Sequence, residues 1–383
     1  MKRVFLGFVC LIVVFGWMHP AQGLFKYKKL WEIDFDRICP SSSIHYTSDT
    51  IVVVSKHGID DDEYFYNTYS YCSGTKLNNT PFNFPKNVLP ETIEAYEGKL
   101  IYLTRTPESK KEFVINCTNL NFEQLWRHEI INESDVEFVW CEVADDLVVV
   151  HLDKEICIYN LKSGKFLCKL YAGYVETDSI WNGLVLIKPD QLKLIDPNTQ
   201  KPVWTYEISK PGLICHGIRK NIVLLSTRKP LDDYPPIVVC LDAFTGKEVF
   251  KMEYSGCFVV DIGISGDILG IVSTDENKGK LILDAFKIDS WTFIWSINVK
   301  KLSNWIIFSN NSMYLLNFCC PDLLTLSKID SNTGEHDCNC GFTFVDEVNW
   351  MTFISPRNVV FQNNRIITSN DYFSVSCLVD ESF

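Results

Sequence analysis

Apolar residues in this chain come in short runs separated by polar turns. TIVVVSK, DLVVVHL, LVLIKP, NIVLLST, DILGIVST and NVVFQNN are apolar runs of strand length. Runs this short, rich in β-branched residues and bounded by turn formers, predict strands, and helical periodicity is scarce. A longer pattern overlies the first. LDAFTGKEVF (Leu241 to Phe250) parallels YNLKSGKFLC (Tyr159 to Cys168), and IDPNTQKPVW (Ile195 to Trp204) and IDSNTGEHDC (Ile329 to Cys338) follow the same course. An apolar residue precedes Asp or Asn (Asp196, Asp242, Asp330), then a turn with Gly or a substitute (Gly246, Gly334), then a large or apolar closing residue. The Asp side chain can accept hydrogen bonds from the turn, and Gly supplies the positive φ of a tight hairpin. Each copy predicts the last two strands of a four-stranded sheet.

The closing residues stand at 31, 78, 126, 168, 204, 250, 295 and 338, at intervals of 47, 48, 42, 36, 46, 45 and 43. Intervals near 45 match one propeller blade of four short strands. The C-terminal SVSCLVD reaches Asp380 with three residues left, so the final hairpin lacks its second strand. The segment from Leu24 to Phe35, with Trp31 at the closing position, has the form of that missing strand. The expected fold is all-β, a single propeller of eight four-stranded blades whose N-terminal strand completes the last blade. Seven blades remain the alternative if the weak copy ending at Asn78 is spurious.

Lys2 and Arg3, an apolar run from Val4 to Trp17, and Ala21-Gln22-Gly23 read as a secretory signal peptide, residues 1–23. The run is shorter than the roughly 20 apolar residues of a membrane span, and Cys10 lacks a lipoprotein context. Residues 24–383 are then one domain, expected outside the cell, or in the periplasm if the source is bacterial. A net charge of −12 argues against a nucleic-acid partner. Export permits disulfides among the 14 cysteines beyond Cys10. Those inside strand patterns, such as Cys157 and Cys240, read as small buried hydrophobes. Asn78, Asn116, Asn132 and Asn310 open N-x-S/T sequons. Asn132 and Asn310 sit in turn contexts and are the glycosylation candidates, whereas Asn116 falls in a strand.

The pattern at Asp242-Ala243-Phe244-Thr245-Gly246-Lys247, and at Asp196 with Thr199 and Trp204, resembles the tryptophan-docking repeat of the PQQ-like, or quinoprotein alcohol dehydrogenase-like, β-propellers. Trp31, Trp126, Trp204 and Trp295 occupy closing positions; Asn78, Cys168, Phe250 and Cys338 depart from the pattern. That superfamily includes quinone-dependent dehydrogenases, a scaffold lipoprotein of bacterial outer-membrane assembly and lumenal sensor domains of stress kinases, so the resemblance selects no function. The adjacent Cys319-Cys320 resembles the vicinal pair of the dehydrogenases but lies late in the chain, where theirs lies early. No ligand set for a quinone or its metal is visible.

Other chemistry is equally scarce. GxSxG, HExxH and P-loop motifs are absent from the sequence. The six histidines past residue 23 (His45, His57, His128, His151, His216 and His336) lack partners at ligand spacing. Asp60 to Glu63 lacks the alternating ligands of a calcium loop. No catalytic residue, metal or cofactor is assigned. The loops expected between second and third strands are long and polar: His57 to Glu63, Arg105 to Lys111, Thr227 to Pro236 and Thr274 to Lys280. Elaborated loops on one face of a rigid scaffold are where such folds acquire partners. The reading is a secreted, monomeric, non-catalytic scaffold that binds a protein, peptide or glycan there, with Asp61, Asp62, Arg105, Asp232, Asp233 and Tyr234 as candidate contacts. The alternative is a quinone-dependent or hydrolytic enzyme working at the channel mouth.

Overall fold

The computed structural model describes residues 27–34, 43–47, 49–56, 63–78, 80–107, 109–133, 135–153, 155–171, 179–182, 184–187, 191–207, 213–227, 235–254, 257–275, 280–299, 303–308, 312–320, 323–343, 359–362, 365–370 and 374–380. In chain order, β1 (Tyr27–Asp34) precedes seven strand quartets. These are β2–β5 (Ser43–Tyr46, Thr50–Lys56, Tyr64–Ser70, Phe82–Asn83), β6–β9 (Val88–Tyr96, Lys99–Arg105, Glu112–Asn119, Gln124–Ile131) and β10–β13 (Val139–Ala144, Leu147–Leu152, Glu155–Asn160, Phe166–Tyr171). Then come β14–β17 (Ser179–Trp181, Leu184–Ile187, Leu192–Asp196, Lys201–Tyr206) and β18–β21 (Leu213–Arg219, Ile222–Thr227, Ile237–Asp242, Glu248–Glu253). The last quartets are β22–β25 (Cys257–Ser265, Ile268–Asp275, Lys280–Lys287, Thr292–Val299) and β26–β29 (Ser303–Phe308, Ser312–Cys320, Leu323–Asp330, His336–Thr343). Three strands remain, β30 (Val359–Gln362), β31 (Arg365–Asn370) and β32 (Ser374–Asp380).

Each quartet is one four-stranded antiparallel meander, and an eighth sheet has the order β1-β32-β31-β30. The N-terminal strand therefore pairs with the C-terminal one, with Trp31 opposite Cys377 and Tyr27 opposite Asp380. This register corrects one detail of the repeat. In the hairpin at Asp242, Cys240 faces the closing Phe250, so the turn Asp follows that partner by two residues. Counted from Cys377, that position is Val379, and Asp380 falls one residue later.

First strands of successive sheets touch from β2 through β6, β10, β14, β18 and β22 to β26. Apolar clusters fill the gaps between sheets. Leu103, Ile115 and Trp126 pack on Val148, Val150 and Leu161, and Leu194 and Trp204 on Val223, Val239 and Ala243. The second strands are buried on both faces, as in LVVVHL of β11 and IVLLST of β19, which explains their unbroken apolar runs.

The turn between third and fourth strands explains the long repeat. Asp242 Oδ1 accepts from Thr245 N at 2.8 Å and Thr245 Oγ1 at 2.7 Å, and Asn160 and Asp330 act alike on Ser163 and Thr333. The Asn198 N–H is the main influence holding the Asp196 carboxyl below its usual range. A positive φ falls four residues before each closing residue from 78 to 338, at Gly74, Phe122, Gly164, Gln200, Gly246, Trp291 and Gly334. Gly and non-Gly residues alternate there, and the packing gives the reason. Trp126 lies against Gly164 of the next sheet, where an added Cβ would stand 2.6 Å from the indole. Its Nε1 donates to Leu161 O at 2.8 Å. Trp204 on Gly246 and Trp295 on Gly334 repeat this, donating to Ala243 O and Ser331 O.

At Phe250 and Asn78, closing residues that are not Trp, the next sheet's turn supplies an aromatic ring of its own. Trp291 stacks on Phe250 with ring centroids 5.1 Å apart. Phe122 joins Tyr66, Phe84 and Tyr102, and Tyr66 Oη donates to Leu120 O at 2.9 Å, taking the place of the indole N–H. Asn78 holds its closing position differently. Its Oδ1 accepts from Thr68 N at 2.8 Å, a backbone-like bond made by a side chain, and the paired part of β5 shrinks to Phe82–Asn83.

Candidate functional site

Antiparallel meanders put the first and third hairpins of every sheet at one end. The second hairpin and the connection to the next sheet lie at the other. At the turn end the loops are short and tied together: Leu161 N donates to Asp146 O, Ala243 N to Asn221 O and Ile288 N to Asp267 O. All four long polar loops join second to third strands, whose described ends lie at the opposite, loop end; residues 57–62, 228–234 and 276–279 of these loops lie outside the described residues.

At the loop end the described residues around Arg105 form a braced surface. Arg105 ends β7, half-buried, with its guanidinium 5.3 Å from the Phe113 ring centre and Nη2 donating to Val136 O at 3.5 Å. The connection from β9 to β10 crosses beside it. Asn132 N donates to Lys111 O at 2.9 Å and Val136 N to Lys110 O at 3.1 Å. Lys111 Nζ donates to Glu133 O at 3.0 Å. Phe138 N and Glu137 N donate to the Asp153 carboxylate at 2.9 and 3.3 Å. Val136 is 0% and Asn132 7% exposed, whereas Ile131 is 73% and Phe138 65% exposed. The backbone is pinned while two large apolar side chains face water.

The first strands carry the other chemistry. His45 on β2 faces Glu94 on β6 at 3.4 Å, and His216 on β18 faces Asp261 on β22 at 3.7 Å. Register shifts beside Glu94, His216 and Asp261 re-aim these side chains. His216 Nε2 also lies 2.7 Å from Ser226 Oγ, which assembles Ser, His and Asp in the order of an acyl-transfer triad. Its orientation is inverted for that task. Ser226 is 0% exposed, and the Asp261 side chain, at 42%, is the accessible member. A nucleophile must reach its substrate, so this group reads as a braced imidazole. His151 stacks on Trp140 with centroids 4.3 Å apart, and burial lowers its pKa to about 3. Burial likewise pushes the Cys117, Cys157 and Cys168 thiols up to about 11, and Cys141 and Cys240 are raised as well. These five are unbridged and buried. Among the described residues no cluster of three metal-ligating side chains occurs, and no helix is long and apolar enough to cross a membrane.

Of the candidate contacts, Arg105 is described, and it braces the surface more than it presents itself. Asp61, Asp62, Asp232, Asp233 and Tyr234 lie outside the described residues, as do Asn310 and residues 1–26. Asn132 follows β9 with its Oδ1 3.4 Å from Lys169 Nζ, so a glycan on its Nδ2 requires the side chain to swing outward. Sequence reasoning passed over Ile131 and Phe138. Their signal is there, one apolar residue ending a strand run and another just before the next, bracketing the acids of NESDVE. His45–Glu94 and His216–Asp261 join separate sheets, and spacing along the chain does not reveal them.

No protein-family profile matches the chain, and no curated protein does. Solved structures match over most of its length. The computationally designed Ika8 protein superposes with a TM-score of 0.60 at 12% identity, covering 91% of this chain and 99% of that one. Sqt1 of Saccharomyces cerevisiae gives 0.57 at 9%, covering 93% and 99%. BamB of Moraxella catarrhalis gives 0.56 at 14%, covering 92% and 97%. The fold is a β-propeller. At such identities the likeness carries architecture and no chemistry.

Proposed function

We propose that the protein is a secreted, non-catalytic propeller scaffold of the PQQ-like kind, with eight blades closed into a ring, that binds a protein, peptide or glycan through its loop end. The observation that carries this reading is the braced surface around Arg105. There a pinned backbone presents Ile131 and Phe138 to water beside the long loops, and exposed large apolar side chains on a rigid support suit a binding face. The inverted Ser226-His216-Asp261 group favours a scaffold over a hydrolase. Alternating Trp-on-Gly contacts support the PQQ-like assignment. The β1–β32 pairing supports closure, and deleting residues 24–35 should then destabilise β30–β32 while sparing the β10–β13 sheet. Charge reversal at Asp61 and Asp62, at Arg105, and at Asp232 and Asp233 tests the face. Binding to an identified partner should fall; unchanged binding in all three variants would overturn the assignment. Quinone absorbance and calcium analysis of the purified protein test the enzyme alternative, which predicts stoichiometric cofactor.

A further inference from the structure

We infer that the outer edge of β25 pairs with the same edge of a second copy of this chain, joining two four-stranded sheets antiparallel across a two-fold axis. This goes beyond the loop-end reading, which stands whether or not copies pair. β25 is the last strand of its sheet, bonded to β24 on one side. Among the described residues no backbone hydrogen bond from outside the sheet reaches it. Such an edge presents a row of N–H and C=O groups that templates another strand unless charge, proline or shortness guards it. The other fourth strands are guarded: β9 carries Arg127, β13 Lys169, β17 Pro202, β21 Lys251, β29 Asp337 and β1 Lys29, and β5 is two residues long. β25 reads TFIWSINV, eight residues with neither a charge nor a proline.

The strand is held before any copy arrives. Trp295 and Ile297 pack against the next sheet, and Trp295 Nε1 donates to Ser331 O at 3.0 Å, so pairing loses little ordering entropy. Phe293, Ile294, Ser296 and Asn298 face water. Charge points to a second copy as the occupant. At −12 two copies repel overall, and they approach at least cost where the local charge is zero. A two-fold contact sets residue i against j and j against i. On a guarded strand that brings a charge toward its own duplicate, whereas in β25 every register sets neutral residues together and covers Phe293 and Ile294. A charged peptide finds no counter-charge in TFIWSINV. Eight residues give a strip of roughly 27 by 10 Å, well short of the roughly 800 Å² per partner of a stable complex. The pairing is therefore weak and concentration-dependent, and the monomer expected from the sequence holds in dilute solution.

The test is sedimentation velocity on the full chain from about 2 µM to about 500 µM, the range in which so small an interface associates. The average mass should rise toward that of a dimer as concentration increases. Ser296→Lys sets a guard at an exposed position of the edge and should weaken association about tenfold or more. It also lowers the net charge, which by itself favours association, so a loss cannot come from overall repulsion. Ser296→Lys mixed with Ser296→Asp should recover pairing, because the two-fold brings the opposite charges together. Val249→Lys adds the same charge to β21, an edge Lys251 already guards, and should change association less than about twofold. A protein that stays monomeric throughout would overturn the inference, as would association that ignores Ser296→Lys; both outcomes leave the loop-end reading intact. A monomeric protein that loses an identified partner on Ser296→Lys but keeps it on charge reversal at Arg105 would give the edge to that partner and overturn both.

Discussion

Gly164→Ala probes the contact that couples one sheet to the next. Gly164 has φ +68°, and an Ala there pays roughly 1 kcal/mol for the left-handed backbone. Its Cβ would stand 2.6 Å from Trp126 Cγ and Cδ2 and 2.9 Å from Trp126 Cβ. These atoms belong to the root of the indole, which cannot rotate away. The ring must lift, and Trp126 is 8% exposed with Nε1 bonded to Leu161 O at 2.8 Å. Losing that bond costs about 1 kcal/mol, and partial loss of the buried indole a further 1–3 kcal/mol or so. The expected total is about 3–5 kcal/mol. Gly98→Ala is the control: its φ is +73°, and nothing lies within 4 Å of the added Cβ. It should cost only the backbone share, about 1 kcal/mol. Urea unfolding followed by tryptophan fluorescence and by circular dichroism measures both. In a Trp126→Ala background the cost of Gly164→Ala should fall toward that of Gly98→Ala, because of the three close atoms only the Cβ at 2.9 Å remains. Equal costs for the two glycine variants in the otherwise unaltered protein would refute Trp-on-Gly docking as the inter-sheet contact.

Acid should act through His151. Its folded pKa is depressed to about 3, so below pH 6.5 the unfolded chain takes up a proton that the folded one refuses. Stability falls as pH drops from about 7 toward 3, by about 2 kcal/mol at pH 5; in His151→Leu this part of the slope should vanish, and an identical slope would contradict the assignment. Cys117, Cys157 and Cys168, with pKa values pushed to about 11, should resist iodoacetamide at pH 8 in the folded protein and react on unfolding. Mass spectrometry of the alkylated protein counts them.

Much of the propeller was legible because each hairpin states its own geometry. Asp242, Thr245 and Gly246 encode a turn within six residues, and the apolar runs of the second strands report burial on both faces. The alternation of Trp and Gly between neighbouring sheets was also in the sequence, though Phe122, Gln200 and Trp291 hide it. These residues accept a left-handed φ and do not announce the turn. Tyr66 reaching Leu120 could not be foreseen, since it joins positions 54 residues apart through the packing of two sheets. The candidate contacts were harder still. Loop length singled out one end of the sheets, but long polar loops say little about which side chains are held rigid. The braced surface became visible only when Arg105, Lys111 and Asp153 were seen pinning its backbone.

Phe138 and Phe244 offer the most direct comparison of the two ends. They are similarly exposed, 65% and 59%, but Phe138 stands on the loop end and Phe244 in a hairpin of the turn end. A photo-crosslinking amino acid placed at each position, with the protein exposed to the extracellular fluid that the proposed secretion would deliver it to, reports which end meets partners. A loop-end scaffold predicts a discrete crosslinked species from position 138 and none from position 244. A species from position 244 alone would contradict it.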